Sequence, residues 1–306
     1  MSALQAVERT LSFAKLIWSD NRHLALCLCA AVIAWTFITW VYKTFVSLPI
    51  TRAPNSPLTF NGTTAELEKS VVNLHCFKCC PYTVSGSPYS TKVMLYARMT
   101  GLPHTTQVPL NGSTGPKGKV PFVEHNKQVI GDSQLIIRYL ESIYDIAAMS
   151  KAVAAKRYPG VKPFVPYALL SLADQAVCDA VRIICESDLY WGGLSVRWLG
   201  SVGMSECNNN WAVTIKAYFS DMPALLQVIL LPFIRIVMAN QANAQGLARH
   251  SPEDQLSLCK RAATALSTFL GAKPYFLGDA PSECDAMAFG TCEAILDGRY
   301  VYLDKT

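Results

Sequence analysis

The chain has 306 residues, of which 51% are apolar and only 16% charged, a composition that excludes disorder and collagen and suffices to bury one or two cores. Its 27 basic and 22 acidic side chains leave +5, too mild an excess for a protein built around nucleic-acid phosphates, and no basic tract changes that reading. In the first 52 residues Arg9, Lys15, Arg22, Lys43 and Arg52 face only Glu8 and Asp20, so most of the excess lies at the head of the chain. Eleven cysteines are scattered from Cys27 to Cys292, odd in number and without the spacing of a disulfide framework, which predicts reduced thiols and a cytosolic setting for the globular part. Cys76, Cys79 and Cys80 come closest to a cluster, but a structural zinc needs four ligands and no second pair follows, so no metal site is expected.

Residues 1–23 form a lead-in to Leu24–Tyr42, 19 residues without a charge. As a helix this run reaches roughly 28 Å, close to the hydrocarbon thickness. Arg22 and His23 precede it, Lys43 follows, and Trp35, Trp40 and Tyr42 gather toward its far end, where amphipathic rings favour the interface. A single transmembrane helix is therefore expected; a cleaved signal peptide is disfavoured by the long charged lead-in and the length of the run. Residues 43–70, with Pro49, Pro54, Pro57 and Gly62, read as a linker.

From residue 71 the pattern becomes regular. Val71–Phe77 is a short β-type run, Pro88–Met99 has helical spacing closed by Gly101, and Thr105–Leu110 is the next strand. A Gly/Pro/Lys-rich turn leads to strand Val120–Glu124, and Asn126-Lys127 turns the chain back into Gln128–Ile130. Asp132 or Ser133 then caps a helix with Leu135, Ile136, Tyr139, Leu140 and Ile143 on its apolar face. The order strand, helix, strand, hairpin, helix predicts an α/β thioredoxin-like domain over residues 71–146. Residues 147–165, ending among Pro159, Gly160 and Pro163, read as a connector, and 166–306 as an all-α domain. Within it, Ala224–Ala239 is apolar but contains Gln227, Pro232 and Arg235, which predicts a buried or half-buried helix broken at Pro232; a surface touching the membrane is the other reading. Gly192-Gly193 should bend its helix, and Ser251-Pro252-Glu253-Asp254 opens another that ends at Gly271.

Several separated segments together resemble one family. Ser87-Pro88-Tyr89-Ser90 with Lys92-Val93 opens the first helix as a nucleophile turn does. Lys119-Val120-Pro121-Phe122 resembles a cis-proline segment, Gly131-Asp132-Ser133-Gln134 an acidic-Ser motif, and Ser282-Glu283-Cys284-Asp285 an N-capping box. With Leu189-Tyr190-Trp191, Arg197-Trp198, Gly246–Ser251 and Lys273–Asp279, these resemble the glutathione S-transferase superfamily, and within it the branch of the failed axon connections proteins and the metaxins. That resemblance implies glutathione as co-substrate, a catalytic turn at Ser87, and a glutathione-binding edge made of Val120, Pro121, Asp132 and Ser133. It also implies dimers or protein partners, and more helices after Asp285 than the chain provides, so the helical half is expected to be truncated.

Each candidate has a plain structural reading beside the functional one. Ser87 can donate a hydrogen bond to a glutathione thiolate, or merely cap a helix with Pro88 at its first position. Ser85 and Tyr89 are substitutes in a shifted alignment, and Cys79 and Cys80 a minor redox alternative; the lack of cysteine at 87 and 90 disfavours dithiol chemistry. Val120 beside a cis Pro121 can pair with an extended peptide, or Pro121 can simply shape the fold. Asp132 and Ser133 can receive the amine and carboxylate of a γ-glutamyl group, or only cap the helix. Cys178 and Cys185 are read as core. Two functions remain open: a membrane-anchored transferase activating the glutathione thiol for conjugation or peroxide reduction, and a non-catalytic adaptor in membrane-associated assembly.

Overall fold

The computed structural model describes residues 32, 71–80, 83–109, 115–200 and 208–296. The expected transmembrane run 24–42, apart from exposed, helical Val32, and the linker 43–70 lie outside the described residues.

Four short strands, β1 (Val72–His75), β2 (His104–Gln107), β3 (Phe122–His125) and β4 (Gln128–Gly131), form one sheet in the order β2-β1-β3-β4. The β1–β2 pair is parallel and the other two pairs are antiparallel, the mixed sheet of a thioredoxin-like domain. The crossover between the parallel strands carries α1 (Pro88–Thr100), which ends where Gly101 takes the left-handed conformation at φ 72° and donates its N–H to the Ala97 carbonyl. Asn126 and Lys127 both have positive φ, 47° and 63°, as a tight two-residue hairpin requires. The Val120–Pro121 peptide is cis. Helix α2 (Ser133–Ile143) follows β4 directly and buries Ile136, Ile137, Tyr139 and Leu140 against the sheet.

β2 and β3 differ by one to three residues at their ends from the sequence expectation, because apolar alternation alone does not say where ladder hydrogen bonds stop. The expected connector begins instead with α3 (Ile146–Arg157), capped by Asp145, whose Oδ1 accepts from Ala148 N at 3.0 Å; proline and glycine break the chain only from Pro159.

The second half is helical: α4 (Leu172–Ile184), α5 (Tyr190–Leu194) flanked by π-helical turns at 185–189 and 195–199, α6 (Asn208–Phe219), α7 (Ala224–Gln245), α8 (Pro252–Leu270) and α9 (Glu283–Ile295). Cys178, Val181, Cys185, Leu266, Cys284 and Met287 belong to its core, so Cys178 and Cys185 pack as expected. Gly192 lets α5 approach α8, where an added Cβ would lie 2.1 Å from Cys259 Sγ. One expectation for α7 is corrected: it runs unbroken through Pro232. It is half-buried as expected, with Leu231 and Ala242 its only fully buried residues and one side open. A proline removes one helix hydrogen bond but need not end a 22-residue helix whose other bonds persist, and helical periodicity does not distinguish a core-facing apolar stripe from one left open.

Helix α9 crosses α1 so closely that a Cβ on Gly290 would lie 2.7 Å from the Pro88 carbonyl oxygen. Gly290→Val is therefore expected to destabilise the protein by about 2 kcal/mol or more, read as a lowered denaturation midpoint. His125, buried behind the hairpin, places Nδ1 2.9 Å from Tyr139 Oη and Nε2 3.1 Å from Tyr144 Oη, and burial holds its pKa below 6.5. The unfolded chain then binds the proton first, so this ring's contribution is intact above about pH 6.5 and is lost as the pH falls through the folded value. Unfolding free energies at pH 7.5 and 5.5 should differ less in His125→Phe than in the unaltered protein.

Candidate functional site

The sheet register decides what meets what. His75 at the end of β1 pairs with Phe122 at the start of β3, and Phe122 pairs with Gly131 at the end of β4. The chain leaving β1 toward Ser87, the cis Val120–Pro121 peptide entering β3 and the Asp132–Ser133 step leaving β4 are thereby brought to one end of the sheet. Residues nearly fifty positions apart become neighbours because antiparallel pairing reverses β3. The His75 and Phe122 rings stack across this end, 4.2 Å between centroids and 4° from parallel.

Ser87 is the N-cap of α1, with Pro88 at the first helical position; its Oγ accepts from Ser90 N at 3.4 Å. The cap uses a lone pair and not the hydroxyl proton. Ser85 is buried, donating to the Phe77 carbonyl at 2.9 Å and accepting from Ser87 N, so its hydroxyl serves the turn. Ser90 Oγ accepts from Phe77 N at 3.0 Å. Tyr89 packs edge-on against Tyr190 at 5.0 Å, and burial drives its phenol pKa well upward, which makes it a poor source of phenolate. Cys80 is buried and Cys79 exposed, while burial pushes the Cys76 thiol up to about 12, away from thiolate chemistry.

Asp132 has φ 88°, uncommon for a residue other than glycine. Its Oδ1 accepts from Gln134 N at 3.0 Å and Leu135 N at 3.4 Å, and its Oδ2 lies 3.6 Å from Lys117 Nζ. The capping expectation holds, and the carboxylate is still half exposed. Ser133 beside it is buried. Pro121 is buried and Val120 half-buried.

Immediately behind this edge lies a polar network that periodicity gave no reason to expect. Lys92 on α1 is fully buried, donates to Gln134 Oε1 at 2.6 Å, and has Glu186 at 3.9 Å. Gln134 in turn donates to Glu283 Oε1 at 2.6 Å, and Arg138 Nη2 lies 2.9 Å from Glu283 Oε2 as an ion contact without hydrogen-bond alignment. Burial lowers the Lys92 pKa, against the pull of Glu283 and Glu186. Arg138 also pairs with Glu141 at 3.0 Å and stacks on Tyr167, 3.7 Å from the ring centroid. A lysine and an arginine on helices that otherwise bury apolar faces were the only signal available in the sequence.

The turn ahead of Ser87 is held from the helical half. Tyr218 Oη donates to the Gly86 carbonyl at 2.9 Å and accepts from buried Arg197 Nη1 at 3.0 Å. Lys78 pairs with Asp221 at 2.6 Å, Cys80 Sγ contacts the Ala217 carbonyl at 3.7 Å, and Glu293 Oε1 accepts from Val84 N. Arg197 is buried, and it holds the tyrosine that touches the turn. The box expected at Ser282 and Asp285 is present: Asp285 accepts from Ser282 N and Phe276 N, both at 2.8 Å.

Comparison with known proteins agrees with this architecture. The family model described as glutathione S-transferase N-terminal domain matches residues 88–158, and that of the glutathione S-transferase C-terminal domain matches 259–300. Over these two segments the chain is similar to the glutathione S-transferase superfamily. The relatives it resembles include failed axon connections and metaxin-2. Failed axon connections of Drosophila melanogaster is 27% identical over 80% of this chain, which spans 55% of that protein, about half its length. Isoprene-epoxide glutathione S-transferase of Rhodococcus sp. (strain AD45) is 29% identical over 69% of this chain and 81% of its own, and mouse metaxin-2 is 25% identical over 70% and 72%. Among solved structures, a beta-etherase from Sphingobium sp. strain SYK-6 covers 77% of this chain and 90% of its own at 16% identity and a TM-score of 0.44.

Removing one partner of the buried network leaves the others charged and unpaired. Glu283→Ala is expected to cost about 3–5 kcal/mol, seen in chemical denaturation. Lys92→Met, which removes the buried charge along with its partner role, should cost clearly less.

Proposed function

We propose that this chain is a membrane-anchored glutathione transferase-like protein, in which residues 71–146 hold glutathione and residues 166–306 complete the site. The observation that carries the reading is the register bringing the Ser87 turn, the cis Val120–Pro121 peptide and Asp132–Ser133 to one sheet end. The Val120 main chain, entering β3 through the cis bond, would pair with the tripeptide as an added strand. Ser133 and the first N–H groups of α2 would receive the γ-glutamyl carboxylate, with the Asp132 carboxylate facing its amine. The thiol would lose its proton to solvent, and the Ser87 hydroxyl would donate a hydrogen bond to the resulting thiolate, stabilising it for attack on an apolar electrophile. The likeness to an isoprene-epoxide transferase supports this chemistry.

A second reading, an adaptor without catalysis, is favoured by a specific contact: the Asp132 carboxylate is already engaged by two backbone N–H groups and Lys117, as in a cap that needs no ligand. The likeness to metaxin-2 points the same way.

Residues 53–306, passed over immobilised glutathione, separate the two. Retention that is lost in Ser133→Ala, together with a roughly 10- to 100-fold fall in kcat/KM for a generic electrophile in Ser87→Ala, is expected for the transferase. Failure to bind glutathione and to conjugate it would leave the adaptor.

A further inference from the structure

Helix α7 is long and apolar enough to cross a membrane by length and composition, yet the structure gives it another role. Leu225, Val228, Ile229, Pro232 and Ile236 follow one another at helical spacing along one side, and all are exposed, Leu225 by 72%, Val228 by 74% and Ile236 by 54%. Farther along the same side the stripe becomes polar at Asn240 and Asn243, so its apolar part covers only about four turns. The opposite side is fastened to the body. Leu231 and Ala242 are buried, Gln227 donates to the Phe219 and Met222 carbonyls, and Arg235, the helix's one charged side chain, donates to the carbonyls of Trp198 and Leu199. A helix bound along one side cannot be surrounded by lipid, and its arginine is already satisfied by backbone carbonyls of the body. Val228, Leu231, Pro232 and Ile236 also line a mostly apolar cavity of about 770 Å³ with Trp211, into which Gln227 and Arg235 bring polar groups.

We propose that the open stripe of α7 lies in the interfacial plane of a lipid bilayer, with its apolar side chains immersed at the level of the headgroups and upper acyl chains. A lipid surface is favoured over a second copy of this chain by what precedes the domain. The uncharged run 24–42 is joined to residue 71 by a leash of only 28 residues, 43–70. A chain of 28 residues spans at most about 100 Å even when fully extended. A bilayer holding the run would therefore be presented to α7 continuously, whereas a second copy must be found by diffusion. This argument rests on the anchored reading above, and the experiment separates the two.

The full chain is examined with neutral phosphatidylcholine vesicles, so that attraction of its net positive charge to anionic lipid does not contribute. Carbonate extraction of the unaltered chain tests the run at 24–42 independently of α7. Ile33→Arg/Ala34→Arg then disrupts the run, and cosedimentation at millimolar lipid reports α7 alone. That chain is expected to bind, and addition of Val228→Glu/Ile236→Glu to lower its partitioning on the order of 100-fold. Val228→Gln/Ile236→Gln, without added charge, should give a smaller loss. Both positions are exposed, so thermal melting should be unchanged. The proposal is overturned if the run-disrupted chain does not bind, if the glutamate pair leaves binding unaltered, or if that pair instead only splits a dimer in lipid-free solution.

Discussion

Glu283 opens α9 with its carboxylate almost wholly out of water, and the arrangement of the two halves follows from what that burial demands. A carboxylate removed from solvent costs several kcal/mol unless charge and hydrogen bonds return the lost hydration. Arg138 and Gln134, both on α2, supply them, and Gln134 passes the interaction to the Lys92 ammonium on α1. Three helices, two from the first half and one from the second, therefore share one set of compensating charges. Separating them would leave Lys92 or Glu283 facing apolar surface. Apolar packing between α1 and α9 tolerates sliding by a fraction of a turn; a carboxylate aimed at a guanidinium and an amide does not.

The same network constrains the candidate site. Asp132, Ser133 and Gln134 are consecutive, and they divide into three environments: Asp132 is exposed at the sheet end, Ser133 is buried beside it, and Gln134 points into the interface. The positive φ of Asp132 is maintained because β4 fixes one side of it and the Gln134 bridge the other. A ligand at the sheet end would thus be held by a segment whose conformation is set by the domain contact, so that binding and the packing of the two halves are coupled through three residues.

Local backbone chemistry is legible in the sequence for physical reasons. Gly101, Asn126-Lys127, Pro121 and the boxes at Ser251 and Ser282 each solve a local backbone problem that few residue types can solve. Whether a helical face is buried is not local. Lys92 lies among polar and apolar neighbours on α1 as any solvated lysine does, and only Gln134, Glu186 and Glu283, all distant in sequence, explain its burial. The α7 stripe shows the converse, since its period is that of a core helix while the surface it would pack on is absent among the described residues. The Ser87 role was legible as a cap; the tyrosine reaching the preceding carbonyl was not, because Tyr218 comes from a helix with no motif of its own.

That tyrosine lies outside the segments that match the glutathione S-transferase family models. The matched regions, 88–158 and 259–300, contain α1, the cis-proline strand, the capped α2 and α9, while β1, Ser87 and Glu186 lie outside them. Tyr218, Asp221 and Arg197, which hold the turn ahead of Ser87, lie between those regions, as does the open face of α7. The turn ahead of Ser87 is thus held by side chains from the intervening segment, and substitutions there would loosen that turn. The helix that supplies Tyr218 is followed within five residues by the one that carries the apolar stripe. Gln227 near the start of α7 donates to the Phe219 and Met222 carbonyls, so the helix that carries Tyr218 and the helix that carries the stripe are tied together at this corner.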